Sequence, residues 1–392
     1  PMEVYPFLSQ FHIARIFGIA MIIGYIVYAS RNEERNFFFN APQDKVFLGL
    51  LFVILFSITV GWAPQVLNVF EQMAKNLVVY AVLIGTVTSQ KRLKILLWML
   101  MAFSAILAFN TVQEYRFLQM GARNVARLGG FSGGYFGGAG DFAVMMCTMV
   151  PFAYFFGVGG KPAALRPVAL FFLALFIAAV VATHARAGVL VLGALAVGFG
   201  IFGVKNFSGF KKFLSVLLVA GAVIGTVALA PAAFKQRAAS IAHYQEVGTA
   251  TARIEYWKIG IKMFLSNPLI GVGAGNYPLR YWDFGGWEHL WRVPHNMYIE
   301  ALSELGMLGF GCLFFLLYYT FKQGLATLRL LKEKAMQNTF LSAAAQGAML
   351  SLFAYCVGGM FQSLFTYPVL YILIAIVISV HQIALKETGG SR

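Results

Sequence analysis

Arginine is the residue type whose positions in this chain point most directly to chemistry. Arg123 and Arg127 follow an apolar run, Arg186 lies between two apolar runs, and Arg253 and Arg292 lie in a long polar segment. A guanidinium at the edge of a membrane needs an anion, and its fork of donors fits phosphate oxygens. Each of these arginines alone could instead reach lipid headgroups. Taken together, they predict a site for a lipid-linked pyrophosphate.

His295, in the sequence Pro294-His295-Asn296, is the second candidate. Proline fits the first turn of a helix, which predicts that His295 lies at a helix N-terminus. The dipole there favours a neutral imidazole, which can accept a proton from a hydroxyl near pH 7. Glu304 would lie about 180° around the same helix and could not orient His295 from that position. For His295, both a structural role and a chemical role remain open.

Acidic residues are too sparse to form a metal site. The aspartates Asp44, Asp141 and Asp283 are isolated, and the sequence has no DxD motif. We therefore expect no metal or other cofactor, and phosphate binding by arginine and lysine alone. The glycine-rich segment 129–138 lacks the GxxxxGK[ST] pattern of a nucleotide loop. Asp141, which follows it, is predicted to be the N-cap of a helix.

The composition is that of a membrane protein. Of the 392 residues, 59% are hydrophobic and only 11% are charged, and the mean hydropathy is +0.74. A soluble protein has about 25% charged residues. The net charge of +15 would suggest nucleic acid in a soluble protein, but here positively charged cytoplasmic loops explain it better. We therefore expect contact with membrane lipids and no nucleic-acid partner.

Apolar runs predict eleven transmembrane helices, or twelve if one precedes residue 1. They lie at 11–29, 46–61, 76–90, 94–112, 141–159, 167–183, 187–204, 213–230, 296–321, 340–363 and 366–385. The loops between successive spans lie alternately on the two sides of the membrane and so form two sets. One set carries more than half of the 30 Lys and Arg residues. That set is predicted to be cytoplasmic, so the long loop faces outward.

The fold class is accordingly all-α, a polytopic helical bundle with one large outer loop. We divide it into N-terminal transmembrane helices (1–230), the large loop (231–295) and C-terminal transmembrane helices (296–392), in one membrane domain.

The large loop is itself predicted to be partly helical. Ile254, Trp257, Ile261 and Phe264 recur at helical spacing, which predicts an amphipathic helix that lies on the membrane or caps the bundle. Asn267-Pro268 ends this helix, and a glycine-rich turn follows at 271–275. The aromatic residues of the large loop would suit a membrane interface and would also suit stacking on sugar rings. They are Tyr277, Tyr281, Trp282, Trp287 and Trp291.

These residues resemble the O-antigen ligase family, which also includes O-antigen and exopolysaccharide polymerases. The block His295-Asn296, followed after nine residues by Gly306-x-x-Gly309, is the most specific match. The segment Arg253-Ile-Glu-Tyr-Trp257 with Asn267-Pro268-Leu-Ile-Gly271-Val-Gly273 is similar to the family's sequence before the histidine. Arg186 matches an outer arginine, and the approach to Asp141 is a weaker match.

The resemblance implies a GT-C-like fold and an inverting, metal-independent glycosyltransferase in the bacterial inner membrane, with its active site facing the periplasm. The donor would be a glycan on undecaprenyl pyrophosphate, and the acceptor would be lipid A–core or another glycan. Arg186 and Arg253 would bind the pyrophosphate, and His295 would activate or position the acceptor hydroxyl. Arg123, Arg127 and Arg292 are added as pyrophosphate-binding candidates by the charge argument alone.

Three functions remain to be distinguished. A ligase moves a finished polysaccharide onto lipid A–core, whereas a polymerase moves a growing chain onto a repeat unit. The two share their donor chemistry, and the histidine block favours the ligase. A transporter of lipid-linked oligosaccharide is a third possibility. It fits less well, because transporters place ionisable groups near the bilayer midplane and these arginines collect at one face.

Overall fold

A computed structural model describes residues 40–120, 138–159, 163–199, 248–286, 292–337 and 339–389, with single positions between 18 and 30. All regular structure in these residues is helical, which confirms the predicted all-α class. The α-helices are α1 Pro42–Phe56, α2 Ala63–Thr86, α3 Gln90–Met120, α4 Ala139–Gly159, α5 Arg166–Ala182, α6 Arg186–Gly198, α7 Gly248–Ser266, α8 Tyr277–Arg280, α9 Met297–Glu333, α10 Phe340–Gly359 and α11 Pro368–Thr388. Short 3-10 turns occur at Ser57–Thr59, Ala163–Leu165 and Trp282–Phe284.

Within the described residues, eight helices are long and apolar enough to cross a membrane. They are α1 to α5 and α9 to α11, and the chain is therefore a multi-pass membrane protein. Helix α6 is apolar but has only 13 residues. The predicted span at 213–230 and most of the one at 11–29 lie outside the described residues.

Several segments between predicted spans are helical instead. Residues 63–75 belong to α2, α3 begins at Gln90 before its predicted start at 94, and α9 continues to Glu333 beyond its predicted end at 321. In α2 three polar residues that interrupt the apolar run have partners. Lys75 pairs with Glu71, and the Asn76 amide donates to the Thr366 carbonyl oxygen at 2.8 Å. A helix can therefore include them without leaving polar groups unsatisfied.

Helix α4 lies at the centre of the bundle. It packs against α5, α6 and α10, and most of its side chains are buried. Its sequence is apolar on every face, which is typical of a helix with protein on all sides. Its first turn lies against the segment before α11, because Tyr367 bonds Asp141 and a Cβ on Gly140 would meet the Gln362 side chain.

The bundle has two chemically different ends. One end, here called the loop end, joins the turn between α1 and α2 to the segment before α8, where the Trp62 N–H donates to Asn276 Oδ1 at 2.9 Å. At the opposite end Gln43 Nε2 donates to Gln323 Oε1 at 2.8 Å, and Gln90 bonds Glu387. The opposite end carries many of the basic residues: Lys91, Arg92, Lys94, Arg166, Arg329, Lys332, Lys334 and Lys386. It corresponds to the end predicted to be cytoplasmic.

Helix α7 caps the bundle by packing on α9, but it does so with a different face from the predicted one. The buried residues are Tyr256, Ile259 and Met263, whereas the predicted Ile261 is exposed. Apolar residues occur on both sides of this helix, so periodicity alone could not identify the side that meets protein.

Candidate functional site at the loop end

Helix α9 is broken at Gly306, and another segment of the chain packs against the broken turn. Gly306 has φ 61° and ψ −157°, a backbone conformation outside the helical region. The segment 267–277, here called the docking loop, lies against the break. Four backbone hydrogen bonds join them: Val272 N–H to Ser303 O at 2.9 Å, Gly273 N–H to Glu304 O at 2.9 Å, Met307 N–H to Pro268 O at 2.8 Å and Leu308 N–H to Leu269 O at 3.2 Å. The groups freed by the break are thus satisfied by the docking loop.

The glycines of the two sequence motifs allow this close approach. Gly271 and Gly273 have φ of 65° and 94°, which is the left-handed region. A Cβ on Gly271 would lie 2.4 Å from the Ser303 carbonyl oxygen, and one on Gly273 would lie 2.5 Å from Gly61 Cα. The predicted glycine-rich turn is therefore confirmed, and its glycines serve backbone packing.

Glu304 fastens the docking loop from inside the bundle. Its carboxylate oxygens accept the Gly275 N–H at 2.7 Å and the Tyr277 N–H at 3.1 Å. Both oxygens of Glu304 are thus occupied by the docking loop. Glu304 therefore has a structural role within the described contacts.

We expect Glu304→Ala to destabilise the protein, because two N–H groups lose their acceptor. The cost should be about 1–3 kcal/mol for each N–H that stays buried and unpaired. Thermal unfolding of the purified protein in detergent measures it. Glu304→Gln, which keeps an acceptor oxygen, should lose less. Glu255→Ala, which removes an exposed partner of Lys258, is the control, and an equal midpoint for the two alanine variants would contradict this role.

His295 lies just before α9, not in its first turn as predicted. The helix begins at Met297, and the Asn296 side chain caps it by accepting from the N–H groups of Tyr298 (3.0 Å) and Ile299 (3.2 Å). Asparagine is a strong N-cap, so the helix starts after it and Pro294 remains outside. His295 itself has φ 49°, a left-handed conformation that is uncommon outside glycine.

The segment before α9 is held against α7. Trp257 Nε1 donates to the Pro294 carbonyl oxygen at 3.0 Å, and the His295 ring lies 6.4 Å from the Tyr256 ring, centroid to centroid. The guanidinium carbon of Arg292 lies 6.0 Å from the same Tyr256 centroid. The structure therefore brings Arg292 and His295 together on one side of α7.

Arg186 begins α6, at the end of the tight hairpin after α5. In this hairpin Thr183 Oγ1 accepts the Ala185 N–H at 3.2 Å. Close packing at Gly188, where a Cβ would lie 2.8 Å from Ala143 Cβ, places the hairpin beside the first turns of α4. Arg186 is thus at the same end of the bundle as Asp141.

Asp141 is in the first turn of α4 and is not its N-cap, because the helix already begins at Ala139. Its Oδ2 accepts from the Tyr367 hydroxyl at 3.1 Å. Asp141 therefore links the start of α4 to the residue before α11, a connection that the sequence analysis missed. Arg253, less than one turn before Tyr256 in α7, lies at the same end of the bundle.

Tyr367 belongs to a partly buried connector between α10 and α11, residues 360–367. Its backbone is satisfied largely by side chains, and Phe365 N–H donates to the Glu300 carboxylate. Three side chains donate to its carbonyls: Tyr355 to Leu364 O at 2.7 Å, Tyr371 to Phe365 O at 3.0 Å and Asn76 to Thr366 O at 2.8 Å. Neither Tyr367 nor Glu300 gave a signal in the sequence, because their partners are distant in the chain.

The predicted site residues thus fall into two groups. Arg186, Arg253, Arg292 and His295 all lie at the loop end, Arg186 beside the start of α4 and the other three on α7 or on the segment before α9. Arg123 and Arg127 lie outside the described residues. In the parts of the chain that the structure describes, no group of three His, Cys, Asp or Glu residues is arranged to hold a metal ion.

A family model described as O-antigen ligase matches residues 170–314. The match covers less than half of the chain, and it supports the resemblance to the O-antigen ligase family that the sequence motifs indicated. The match includes Arg186, Arg253 and His295, as well as the docking loop and the break in α9. The match supports an O-antigen ligase or polymerase type of function, with glycosyltransferase-like activity on lipid-linked glycans and their acceptors. The comparison with curated proteins found no match.

Proposed function

We propose that this protein is an O-antigen ligase that transfers a polysaccharide from undecaprenyl pyrophosphate to lipid A–core at the periplasmic face of the bacterial inner membrane. The observation that carries the proposal is the collection of Arg186, Arg253 and His295 at one end of the bundle, all within the family match. That end is opposite the one rich in lysine and arginine, which agrees with an outward-facing site.

The arginines would bind the donor and stabilise its departure. In the proposed reaction an acceptor hydroxyl oxygen attacks the anomeric carbon, and the bond from that carbon to the pyrophosphate oxygen breaks. The pyrophosphate keeps the bonding electrons, so its negative charge increases in the transition state. Guanidinium groups held in place beforehand stabilise that charge without a metal. Inversion follows from attack on the face opposite the leaving group.

His295 would receive the proton of the acceptor hydroxyl. It precedes the N-terminus of α9, where the positive end of the helix dipole favours a neutral imidazole over an imidazolium. The ring lies beside Tyr256 on α7, the helix that also carries Arg253. The same helix therefore positions both His295, the proposed proton acceptor, and Arg253, which is proposed to stabilise the departing pyrophosphate.

Deleting the gene tests the proposal in the source bacterium. A ligase deletion should leave long glycan chains on undecaprenyl pyrophosphate while the surface lipopolysaccharide carries only core. Core capped by a single repeat unit would instead identify a polymerase. Loss of outward-facing lipid-linked glycan would identify a transporter and would overturn the proposal. Gel analysis of lipopolysaccharide and mass spectrometry of extracted lipid-linked glycan distinguish the three.

Arg186→Gln and Arg253→Gln are each expected to reduce the transfer rate by about 10²–10³-fold, the usual effect of removing one group that stabilises transition-state charge. Transfer is measured in membranes of the deletion strain to which purified variant is added. Arg280→Gln is the matched control, because Arg280 lies at the same end in an exposed pair with Asp283 at 2.7 Å. Equal rates for all three variants would contradict the assigned roles.

A further inference from the structure

Helix α7 has two apolar faces, and only one of them packs on the bundle. The first is buried and consists of Tyr256, Ile259 and Met263. It meets the first turns of α9, since a Cβ on the neighbouring Gly260 would lie 2.5 Å from Ile299 Cγ2. The second face lies about 150° around the helix from the first. Its members are the four residues whose spacing predicted an amphipathic helix, together with Leu265: Ile254, Trp257, Ile261, Phe264 and Leu265.

The second face is covered by protein near its start and uncovered near its end. Trp257 meets the segment before α9, because its Nε1 donates to the Pro294 carbonyl oxygen at 3.0 Å. Two turns further on, Leu265 is 65% exposed, and Ile261 is exposed as well. An amphipathic helix with an uncovered apolar face is typical of a segment that lies at a membrane surface.

The uncovered apolar surface continues onto the docking loop and α9. Leu269 is 65% exposed, and its carbonyl oxygen accepts the N–H of Leu308, which is 45% exposed. Met307, which is 54% exposed, bonds the adjacent Pro268 in the same way. The residues Leu265, Leu269, Met307 and Leu308 are here called the apolar edge. Clustered exposed apolar side chains mark a contact site for a membrane or a protein.

The apolar edge joins the lipid-facing surface of a transmembrane helix. Further along α9 the exposed large side chains are Phe314, Phe315, Tyr318 and Leu325. Arg329, near the opposite end of α9, follows Gly306 by 23 residues, which is about 35 Å along a helix. The hydrocarbon core of a bilayer is about 30 Å thick. The broken turn, and the apolar edge with it, therefore lies close to the boundary between acyl chains and headgroups.

Two lysines lie beside the apolar edge, on the exposed polar side of α7. Lys258 pairs with Glu255 at 2.7 Å, and Lys262 Nζ donates to the Phe284 carbonyl oxygen at 3.4 Å. Lysine side chains next to an inserted apolar face can reach the phosphates of lipid headgroups. The order of apolar and basic residues around α7 thus matches the order of acyl chains and headgroups in a leaflet.

We propose that α7 and the docking loop are seated in the leaflet at the loop end, where the apolar edge contacts acyl chains and the two lysines contact headgroup phosphates. The partner is the bilayer itself, because the apolar edge is continuous with a surface of α9 that already faces lipid. This seat does not depend on the reaction that the protein catalyses.

The seat has a consequence for the donor, which rests on the proposed function. Arg253 precedes Tyr256 of the buried face by three residues and Trp257 of the second face by four. Residues at these spacings are neighbours on a helix surface. Arg253 therefore lies on the border between the two faces, at the depth where a lipid carries its pyrophosphate.

Spin labelling of the full chain tests the seat, in nanodiscs of phosphatidylethanolamine and phosphatidylglycerol. Single cysteines replace Leu265 or Leu269 in a background whose three native cysteines are changed to alanine. Collisions of each label are measured with oxygen, which concentrates in lipid, and with a water-soluble nickel chelate. Phe314→Cys on α9 is the lipid reference, and Asp283→Cys, in an exposed pair with Arg280, is the water reference.

We expect the labels at Leu265 and Leu269 to resemble the label at Phe314. Oxygen collisions should be several-fold more frequent than at Asp283, and nickel collisions several-fold rarer. The reverse pattern would place the apolar edge in water and overturn the inference. Low accessibility to both reagents would show that protein covers the edge, as in a dimer, and would also overturn it. Either result leaves the roles of Arg253 and His295 to the transfer measurements.

The unmodified chain provides a second measurement, which needs no cysteine replacement. It is placed in nanodiscs that contain a lipid with a photoreactive diazirine in its acyl chain, and the crosslinked peptides are identified by mass spectrometry. We expect crosslinks in 261–269 and in 307–318, and none in 280–286. Crosslinks in 307–318 without any in 261–269 would contradict the seat, because the lipid reference would be labelled and α7 would not.

Discussion

Replacing His295 by alanine is expected to reduce glycan transfer by about 10²–10⁴-fold, the range for loss of a general acid–base group. The protein should still insert and fold, because the contacts that hold this segment involve its neighbours. Trp257 bonds the Pro294 carbonyl, and the Asn296 side chain caps α9. Transfer in deletion-strain membranes and thermal unfolding of the purified variant measure the two effects separately.

His295→Asn is the backbone-matched control for this position. Asparagine tolerates the left-handed conformation that His295 adopts at φ 49°, but it has no group that titrates near neutral pH. It should unfold at the wild-type temperature and remain inactive. His381→Asn, at the opposite end beside Thr327, should retain transfer. Full activity in either His295 variant would remove this residue from the mechanism.

Gly306→Ala is expected to cause the largest loss of stability in the chain outside the central core. The backbone at φ 61° and ψ −157° is essentially restricted to glycine, and a Cβ there would lie 2.4 Å from the Leu269 carbonyl carbon. The docking loop would have to leave the break, and its four backbone hydrogen bonds with α9 would be lost. We expect a cost of about 3 kcal/mol or more and the loss of transfer.

Gly311→Ala is the control in the same helix. Gly311 is helical, and nothing lies within 4 Å of a Cβ built on it, so alanine should be neutral or slightly stabilising there. Thermal unfolding midpoints of the two variants, measured in the same detergent, make the comparison. Equal midpoints would show that the docking loop tolerates a side chain at the break and would contradict the packing described above.

Much of the fold could be predicted from apolar runs. The core helices α4, α5, α10 and α11 follow those runs to within a few residues. Helix α2 could not be delimited in this way, because Glu71, Lys75 and Asn76 resemble a loop until their partners are known. The break in α9 also could not be predicted from the sequence. Gly306 is one of 40 glycines in the chain, and only its contact with the docking loop explains the break there.

The candidate site was predictable where residue type alone was informative. Arginines near the outer membrane edge and a histidine after proline stand out in any sequence of this composition. Asp141 was assigned to a helix cap because its actual partner, Tyr367, is more than 200 residues away in the chain. Contacts of that separation depend on how the helices pack, and local patterns carry no information about them.

The connector between α10 and α11 also bears on the order in which the bundle assembles. Its Thr366 carbonyl is bonded by Asn76 of α2, whereas its neighbours are bonded by Tyr355 of α10 and Tyr371 of α11. A carbonyl without a hydrogen bond is costly where water is excluded, so we expect this segment to settle only once α2 has joined the last two helices. We therefore expect a nascent chain that lacks α11 to leave the loop end incomplete.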